Sequence, residues 1–215
     1  MPQIAVLTGD IVNSSALSSG ELDRAIETLQ QAAMMISAWP PHDTKTATVF
    51  GRRGGDGWQT TLFAPGRSLR AALFLRSSLM SAGAFQTRIV VAVGEGALSD
   101  KAMNDPNYGH GPAFTHSGRL LEKLPRNSLM QHADGGPLSA AYLLADHISR
   151  EWTQAQAATM ALALAPTRRT QQDIAEHLGI SRQAVAQSLK SAGYTAINAA
   201  LALIETAPPE RHHDA

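Results

Sequence analysis

The 215-residue chain contains no cysteine, which excludes disulfide staples, thiolate metal sites and a cysteine nucleophile. Neither sign of charge is in excess, with 18 Lys and Arg against 18 Asp and Glu. No global field therefore draws the molecule to nucleic acid or anionic lipid. No apolar run nears the roughly 18 residues that cross a bilayer. The opening MPQIAVLTGD has no basic segment ahead of its short apolar run, so it reads as a strand and not as a signal peptide. A cytoplasmic protein without a membrane partner is the expectation. Aromatic residues are scarce at 5%, yet 44% of the chain is hydrophobic and 17% charged. That suffices for a buried core in one domain of about 150 residues plus a small module.

The apolar pattern divides the first hundred residues into six elements. QIAVLT (3–8) reads as a buried strand ending at Gly9-Asp10. Ser18 with Glu21 offers a capping box, and Leu22, Ile26, Leu29, Ala33 and Ile36 then recur at helical spacing until Pro40-Pro41. TKTATVF (44–50) and GWQTTLF (57–63) are strand-like and flank a glycine-rich turn. An amphipathic helix at 67–82 and a strand TRIVVAVGEG (87–96) follow. The order β-α-β-β-α-β predicts an α+β fold of ferredoxin-like type, sheet order 4-1-3-2. Beyond it the sequence predicts a loop at 100–112, a short helix at 113–123, a strand around 127–132 and a helix at 137–151. From Thr153 the chain is alanine-rich and helical, broken at Pro166-Thr167. Three parts are expected: a domain over 1–150, a small all-α domain over 151–206, and a disordered tail over 207–215.

The turn GRRGGDGWQ carries more glycine and positive charge than a hairpin requires. In the expected sheet the end of the first strand and the turn before the third share one edge, which sets Asp10 beside Asp56. Two adjacent carboxylates repel unless a cation sits between them, and hard oxygens with ligand phosphates are a usual Mg²⁺ setting. Such a site can serve phosphoryl transfer. Ile11-Val12-Asn13-Ser14-Ser15 turns towards the first helix, where backbone N–H groups can cradle phosphate, and Arg52 and Arg53 bring positive charge. The bland alternative is that both aspartates are ordinary turn residues.

TGDIVNSS together with GRRGGDGWQ resembles the class III nucleotidyl cyclase catalytic domain, a palm-like fold with one metal aspartate after strand one and another in a K-x-x-G-D-G hairpin. The pattern is closer to the bacterial SatD-like family, with its G-D-I-V-x-S start, G-D-G-[FW]-Q hairpin and C-terminal helix-turn-helix. The resemblance implies a nucleoside triphosphate ligand. It also implies Mg²⁺ (or Mn²⁺) held by Asp10, Asp56 and the Ile11 carbonyl. GPAFTHSGRLL (111–121) is similar to the cyclase stretch G-D-A-V-N-x-A-x-R-L. By it, Arg119 is the arginine that stabilises the transferring phosphate, and Thr115 stands where cyclases position the ribose with asparagine. Arg52 falls on the purine-reading lysine, with Tyr108 near that lysine's aspartate partner. Cyclases share the site across a homodimer. The resemblance thus implies a phosphorus-oxygen lyase or nucleotidyltransferase in which Asp10, Asp56 and Arg119 are catalytic. A non-catalytic nucleotide sensor that regulates transcription stands as the alternative.

TQQDIAEHLGISRQAVAQSLKSAGY (170–194) has helix-turn-helix spacing. Thr170 and Asp173 cap one helix, Gly179 permits the turn, Ile180 plugs it, and Ser181 caps the next. Ile174, Ala175, Leu178, Val185 and Leu189 are expected inside, and Ser181, Arg182, Gln183, Gln187 and Lys190 outside as DNA contacts. Arg168, Arg169, Arg182 and Lys190 against Asp173 and Glu176 leave only a weak positive balance over 165–194. A helix-turn-helix used for packing or dimerisation is the alternative. His110, His116 and His132 lack metal-ligand spacing and are expected at the surface. Trp58 is expected in the core, and Glu95 at the end of the sheet away from the aspartates.

Overall fold

Alternation along the first strand organises the molecule. Ala5, Leu7 and Ile11 join a large apolar cluster on one face, while Ile4 and Val6 join a smaller one with Ala113, Phe63 and Phe114 on the other. Both faces are covered, which is why QIAVLT reads as an almost unbroken apolar run. The computed structural model describes residues 2–40, 48–83, 85–125, 127–167 and 169–207. Residues 44–47 of the expected second strand, Arg168 and tail residues 208–215 lie outside the described residues.

The elements are β1 (Gln3–Ile11), α1 (Ser19–Ser37), β2 (Val49–Arg53), β3 (Gly57–Leu62), α2 (Ser68–Gly83) and β4 (Thr87–Glu95). Then come α3 (Pro112–Lys123), β5 (Met130–His132), α4 (Gly136–Arg150), α5 (Gln154–Leu164), α6 (Gln171–Leu178), α7 (Arg182–Ser191) and α8 (Tyr194–Thr206). The sheet order is β2-β3-β1-β4-β5. The first four strands pair antiparallel, and β5 adds to β4 in parallel. The Ser18–Glu21 capping box starts α1.

Two strand ends differ from expectation, and both differences matter at the site. β1 does not stop at Gly9-Asp10 but runs on to Ile11, because β4 continues to pair with it at Asp10↔Arg88 and Ile11↔Thr87. β2 runs through Arg52 and Arg53, since Arg53 pairs with Gly57. The turn is thereby reduced to Gly54-Gly55-Asp56, with Gly54 at φ +65°, a left-handed conformation that suits glycine.

The helix α2 departs further. It reads as amphipathic, yet Leu69, Leu73, Phe74 and Leu79 share burial with Ala72, Leu75, Arg76 and Ser77. The cause is tertiary: α5 packs on the side that faces away from the sheet. One apolar cluster runs from Leu7 and Trp58 through α2 to Met160, Ile174, Val185 and Leu201. Two arginines of α2 are buried. Arg70 donates to both Glu205 carboxylate oxygens, to the Leu164 carbonyl at 3.1 Å and to Asn198 Oδ1 at 3.4 Å. Arg76 donates to Asp146 Oδ1 at 2.8 Å. The expected boundary near 150 falls between α4 and α5, where buried Trp152 donates its Nε1 to the Ala192 carbonyl at 3.0 Å.

Thr170 and Asp173 form a capping box, Gly179 ends α6 at φ +66°, and the Ser181 side chain accepts from the Ala184 N–H. Ile174, Ala175, Val185 and Leu189 are buried, whereas Leu178 is half-buried. Ile180 does not plug the turn. It is 42% exposed, and its N–H bonds back to the Ala175 carbonyl at 3.0 Å. Among the described residues no helix is long and apolar enough to cross a membrane.

Candidate functional site

The register of β1 against β3 places Asp10 opposite Gly57, and the Ile11 N–H donates to the Asp56 carbonyl at 3.1 Å. The two aspartates therefore meet at one end of the sheet. Strand alternation puts the Asp10 side chain on the face of Ile4, Val6 and Thr8, under α3 and not under α1. The Ser14 hydroxyl donates to Asp56 Oδ2.

A residue that sequence reasoning missed completes this notch. Arg88 lies opposite Asp10 on β4, where its Nε donates to Asp10 Oδ1 at 2.7 Å and its Nη2 to Asp10 Oδ2. The pair is partly open to solvent, with 33% of the Arg88 side chain and 19% of Asp10 exposed. The Arg88 guanidinium is held above its ordinary pKa, first by its hydrogen bonds to Asp10, and the charge of Asp56 adds to this. The signal was present in the order 4-1-3-2: hanging the fourth strand from Thr87 puts its second residue across from Asp10.

The layer beneath is fixed by a hydrogen-bond relay. Buried Trp58 donates its Nε1 to Thr87 Oγ1 at 2.9 Å, and Thr87 Oγ1 donates to the Asp10 carbonyl at 2.7 Å. Trp58 also stacks on Phe50 with ring centroids 6.2 Å apart, so it serves the core. Gly9 makes room for this ring, since a methyl group there would stand 2.5 Å from the indole. Ahead of α1, Asn13 adopts a left-handed conformation (φ 54°) before the 3-10 turn Ser14–Ala16. A left-handed residue followed by right-handed ones turns successive N–H groups to one side, a concavity that suits anions.

Beside the notch opens a cleft of about 550 Å³, lined among others by Arg53, Gln59, Asn107, His110, Phe114 and Thr115. Its floor is polar: Gln59 Nε2 donates to Thr8 Oγ1 at 3.0 Å, and Thr8 Oγ1 to Ser117 Oγ at 2.9 Å. Its wall is the 3-10 turn Pro106–Tyr108. That turn rests on Gly51, where an added methyl would stand 2.9 Å from Pro106 Cδ. Asn107 Nδ2 ties it to the Arg52 carbonyl at 2.9 Å.

The remaining expected residues scatter around this frame. Arg52 turns to the α1 side, donating to Asp23 Oδ1 and to the Gly55 carbonyl, both at 2.7 Å. Arg53, its neighbour, lines the cleft and reaches towards Gly118 on α3. The Val12 N–H is spent on the Gln86 carbonyl at 2.9 Å. Ile11 is buried, and Asn13 and Ser15 are exposed. Thr115 and Arg119 are exposed one turn apart on α3. Tyr108 is 58% exposed, with the Lys101 ammonium 5.4 Å from its ring centroid. Ser181, Arg182, Gln183, Gln187 and Lys190 are exposed at the start and outer side of α7.

His132 is a correction. It is buried at 2% exposure, packed 5.0 Å from the Tyr142 ring, because β5 joins the sheet beneath α4. His110 and His116 are exposed. Glu95 pairs with Gln3, at the other end of β1 from Asp10.

Two carboxylates and a main-chain carbonyl are hard donors of the kind Mg²⁺ takes. In this conformation, however, they do not fit a resident ion. Both Asp10 oxygens are covered by Arg88, and among the described residues no group of three or more His, Asp or Glu side chains converges. The cation on Asp10 is the protein's own guanidinium, which reaches it from β4.

No protein-family model matches the chain, and no curated protein matches it. Among solved structures it is similar to a bacterial light-regulated adenylyl cyclase. That likeness has a TM-score of 0.42 and 16% identity, over 61% of this chain and 75% of that chain.

Proposed function

We propose that the chain binds a nucleoside triphosphate, its phosphates at the Asp10–Asp56 notch and its remainder in the adjoining cleft. The carrying observation is the Asp10↔Gly57 register, which gathers two carboxylates, a left-handed turn at Asn13 and the Arg88 cation at one end of the sheet. The nucleotide arrives as its Mg²⁺ (or Mn²⁺) complex, and that ion supplies charge neutralisation with the ligand. Arg53, Asn107 and Thr115 hold the sugar and base end through polar contacts. The frame is a ferredoxin-like, cyclase-type palm, and α6 and α7 form a helix-turn-helix whose Arg182, Gln183, Gln187 and Lys190 face DNA. A nucleotide sensor coupled to DNA binding is the reading that the covered Asp10 and the diverted Arg52 favour.

One observation favours turnover instead. Arg119 and Thr115 stand exposed on one side of α3, free to serve a nucleotide held by a second copy of the chain. In that reading Arg119 offsets charge developing on the transferring phosphate.

The test is incubation of the protein with each labelled nucleoside triphosphate and Mg²⁺ or Mn²⁺, beside Asp56→Ala. Products are separated by chromatography and binding is followed by thermal shift. A shift lost in the variant, without product, is expected for the sensor. Product that vanishes in the variant establishes an enzyme. No shift and no product refutes the nucleotide reading.

A further inference from the structure

We infer that Gln59 sets the specificity of the cleft. Its amide is locked with the oxygen left for the ligand, so the cleft prefers a ligand that presents an amino or hydroxyl proton to that oxygen. This rests on the cleft taking the base-and-sugar end of a nucleotide, and it adds what that end must carry.

The lock is a hydrogen-bond relay with a direction. Gln59 lines the cleft although it is only 5% exposed. Its Nε2 donates to Thr8 Oγ1 at 3.0 Å, Thr8 Oγ1 donates to Ser117 Oγ at 2.9 Å, and Ser117 Oγ donates to the Phe114 carbonyl at 3.1 Å. A carbonyl only accepts, so the single hydroxyl proton of Ser117 is spent on it. Ser117 must then accept from Thr8, and Thr8 from Gln59. Which end of the amide is oxygen, a choice set by its hydrogen-bond partners, is thereby decided at the far end of the relay. Among the described residues nothing donates to Gln59 Oε1, which leaves a buried acceptor in the wall of a cavity.

The neighbouring groups have the same polarity. Asn107 Nδ2 spends its protons on the Arg52 carbonyl at 2.9 Å and on Asp105 Oδ1 at 2.7 Å. Thr115 Oγ1 donates to the Gly111 carbonyl at 3.3 Å. The amide and hydroxyl side chains of the lining thus keep oxygen lone pairs for the ligand. Gln59 lies opposite Thr8, one pleat in from the Asp10↔Gly57 pair, or about 7 Å along the strand. Two groups of a nucleotide supply such a proton at its uncharged end: the exocyclic amino group of the base and a hydroxyl of the sugar. A ligand without the proton leaves the buried oxygen unpaired, which weakens binding by about five- to 140-fold.

The experiment is calorimetric titration of the full chain in Mg²⁺ buffer with adenosine, cytidine and guanosine triphosphates. Each is compared with its analogue lacking the exocyclic amino group and with its 2′-deoxy and 3′-deoxy analogues. Wild type should bind at least one parent about five- to 140-fold more tightly than one of its analogues. Loss on removal of the amino group places Gln59 at the base, and loss on removal of a hydroxyl places it at the sugar. Gln59→Met should abolish the difference. Ser117→Ala should shrink it, because Thr8 recovers its proton and the Gln59 amide is free to turn its NH₂ to the cleft. Ser117 is then a positioning residue, whereas a merely structural role would lower the melting point and leave the affinity ratio unchanged. Ser117→Ala also carries the test where Gln59→Met fails to fold. Parents and analogues bound equally by wild type, or a ratio that neither variant alters, overturns the inference and leaves the nucleotide reading intact. If wild type binds none of the nucleotides, the nucleotide reading falls and this one falls with it.

Discussion

Replacing Asp146 by alanine strands one buried charge. Arg76 is fully buried, Asp146 is 97% buried, and among the described residues Asp146 is the only acceptor that Arg76 meets. Burial pulls the Arg76 pKa down, and the hydrogen bond and charge of Asp146 pull it back. Asp146 also accepts from the Leu129 N–H at 3.0 Å and from Ser128 Oγ at 3.2 Å. Removing one partner of a buried pair typically costs about 3–5 kcal/mol. For a chain of this size that corresponds to a melting point lower by about 6–20 °C. The double variant Arg76→Met, Asp146→Leu separates the causes. It removes the stranded charge at similar volume, an exchange that is often neutral. It leaves the Leu129 N–H without its Asp146 acceptor, while Ser128 Oγ keeps the Met130 carbonyl at 3.4 Å, so about 1–3 kcal/mol of the loss should remain. Urea titrations of wild type, the single variant and the double variant measure all three. A double variant as unstable as Asp146→Ala would refute the argument, because the loss would then lie in shape or in the neutral Leu129 donor.

Gly9→Ala should destabilise the fold by about 1–3 kcal/mol, since the new methyl meets the buried Trp58 ring; unchanged tryptophan fluorescence and melting would contradict this. Arg70→Met should loosen α8 against α2 and raise hydrogen exchange in 194–206 above that in β1, because it removes the bonds to Glu205, Asn198 and the Leu164 carbonyl. Uniform exchange across both regions would show that apolar packing alone holds α8. Glu21 and Asp173 are held below their usual pKa by the hydrogen bonds of Ser18 and Thr170. Their contribution to stability is therefore complete above the unfolded-state values and is lost as pH falls through the lower folded ones. Melting points measured downward from pH 6 should fall below about pH 4.5, and less steeply in Glu21→Gln, Asp173→Asn; an identical slope would show that the caps do not titrate in this way.

The elements legible in the sequence were those whose signal is local. Capping pairs such as Ser18–Glu21 and Thr170–Asp173, the Gly179 turn and the alternating strands carry their own instructions. The approach of Asp10 to Asp56 was also readable, because it needs only strand order. What escaped depends on partners distant in the chain. Arg88 becomes part of the notch by pairing with a residue 78 positions away in sequence, and α2 looks one-sided until α5 covers its other face. Arg52 and Arg53 are alike in composition, and only the extension of β2 by two residues sends them to opposite faces of the sheet. His132 looked like a surface residue because nothing nearby in sequence shows that β5 joins the sheet.

The burial of α2 on all sides has a mechanical consequence. With the sheet on one flank and α5 on the other, there is no lubricated seam along which the two halves can slide. The tilt of α7 relative to the strand that carries Asp10 is then set when the chain folds.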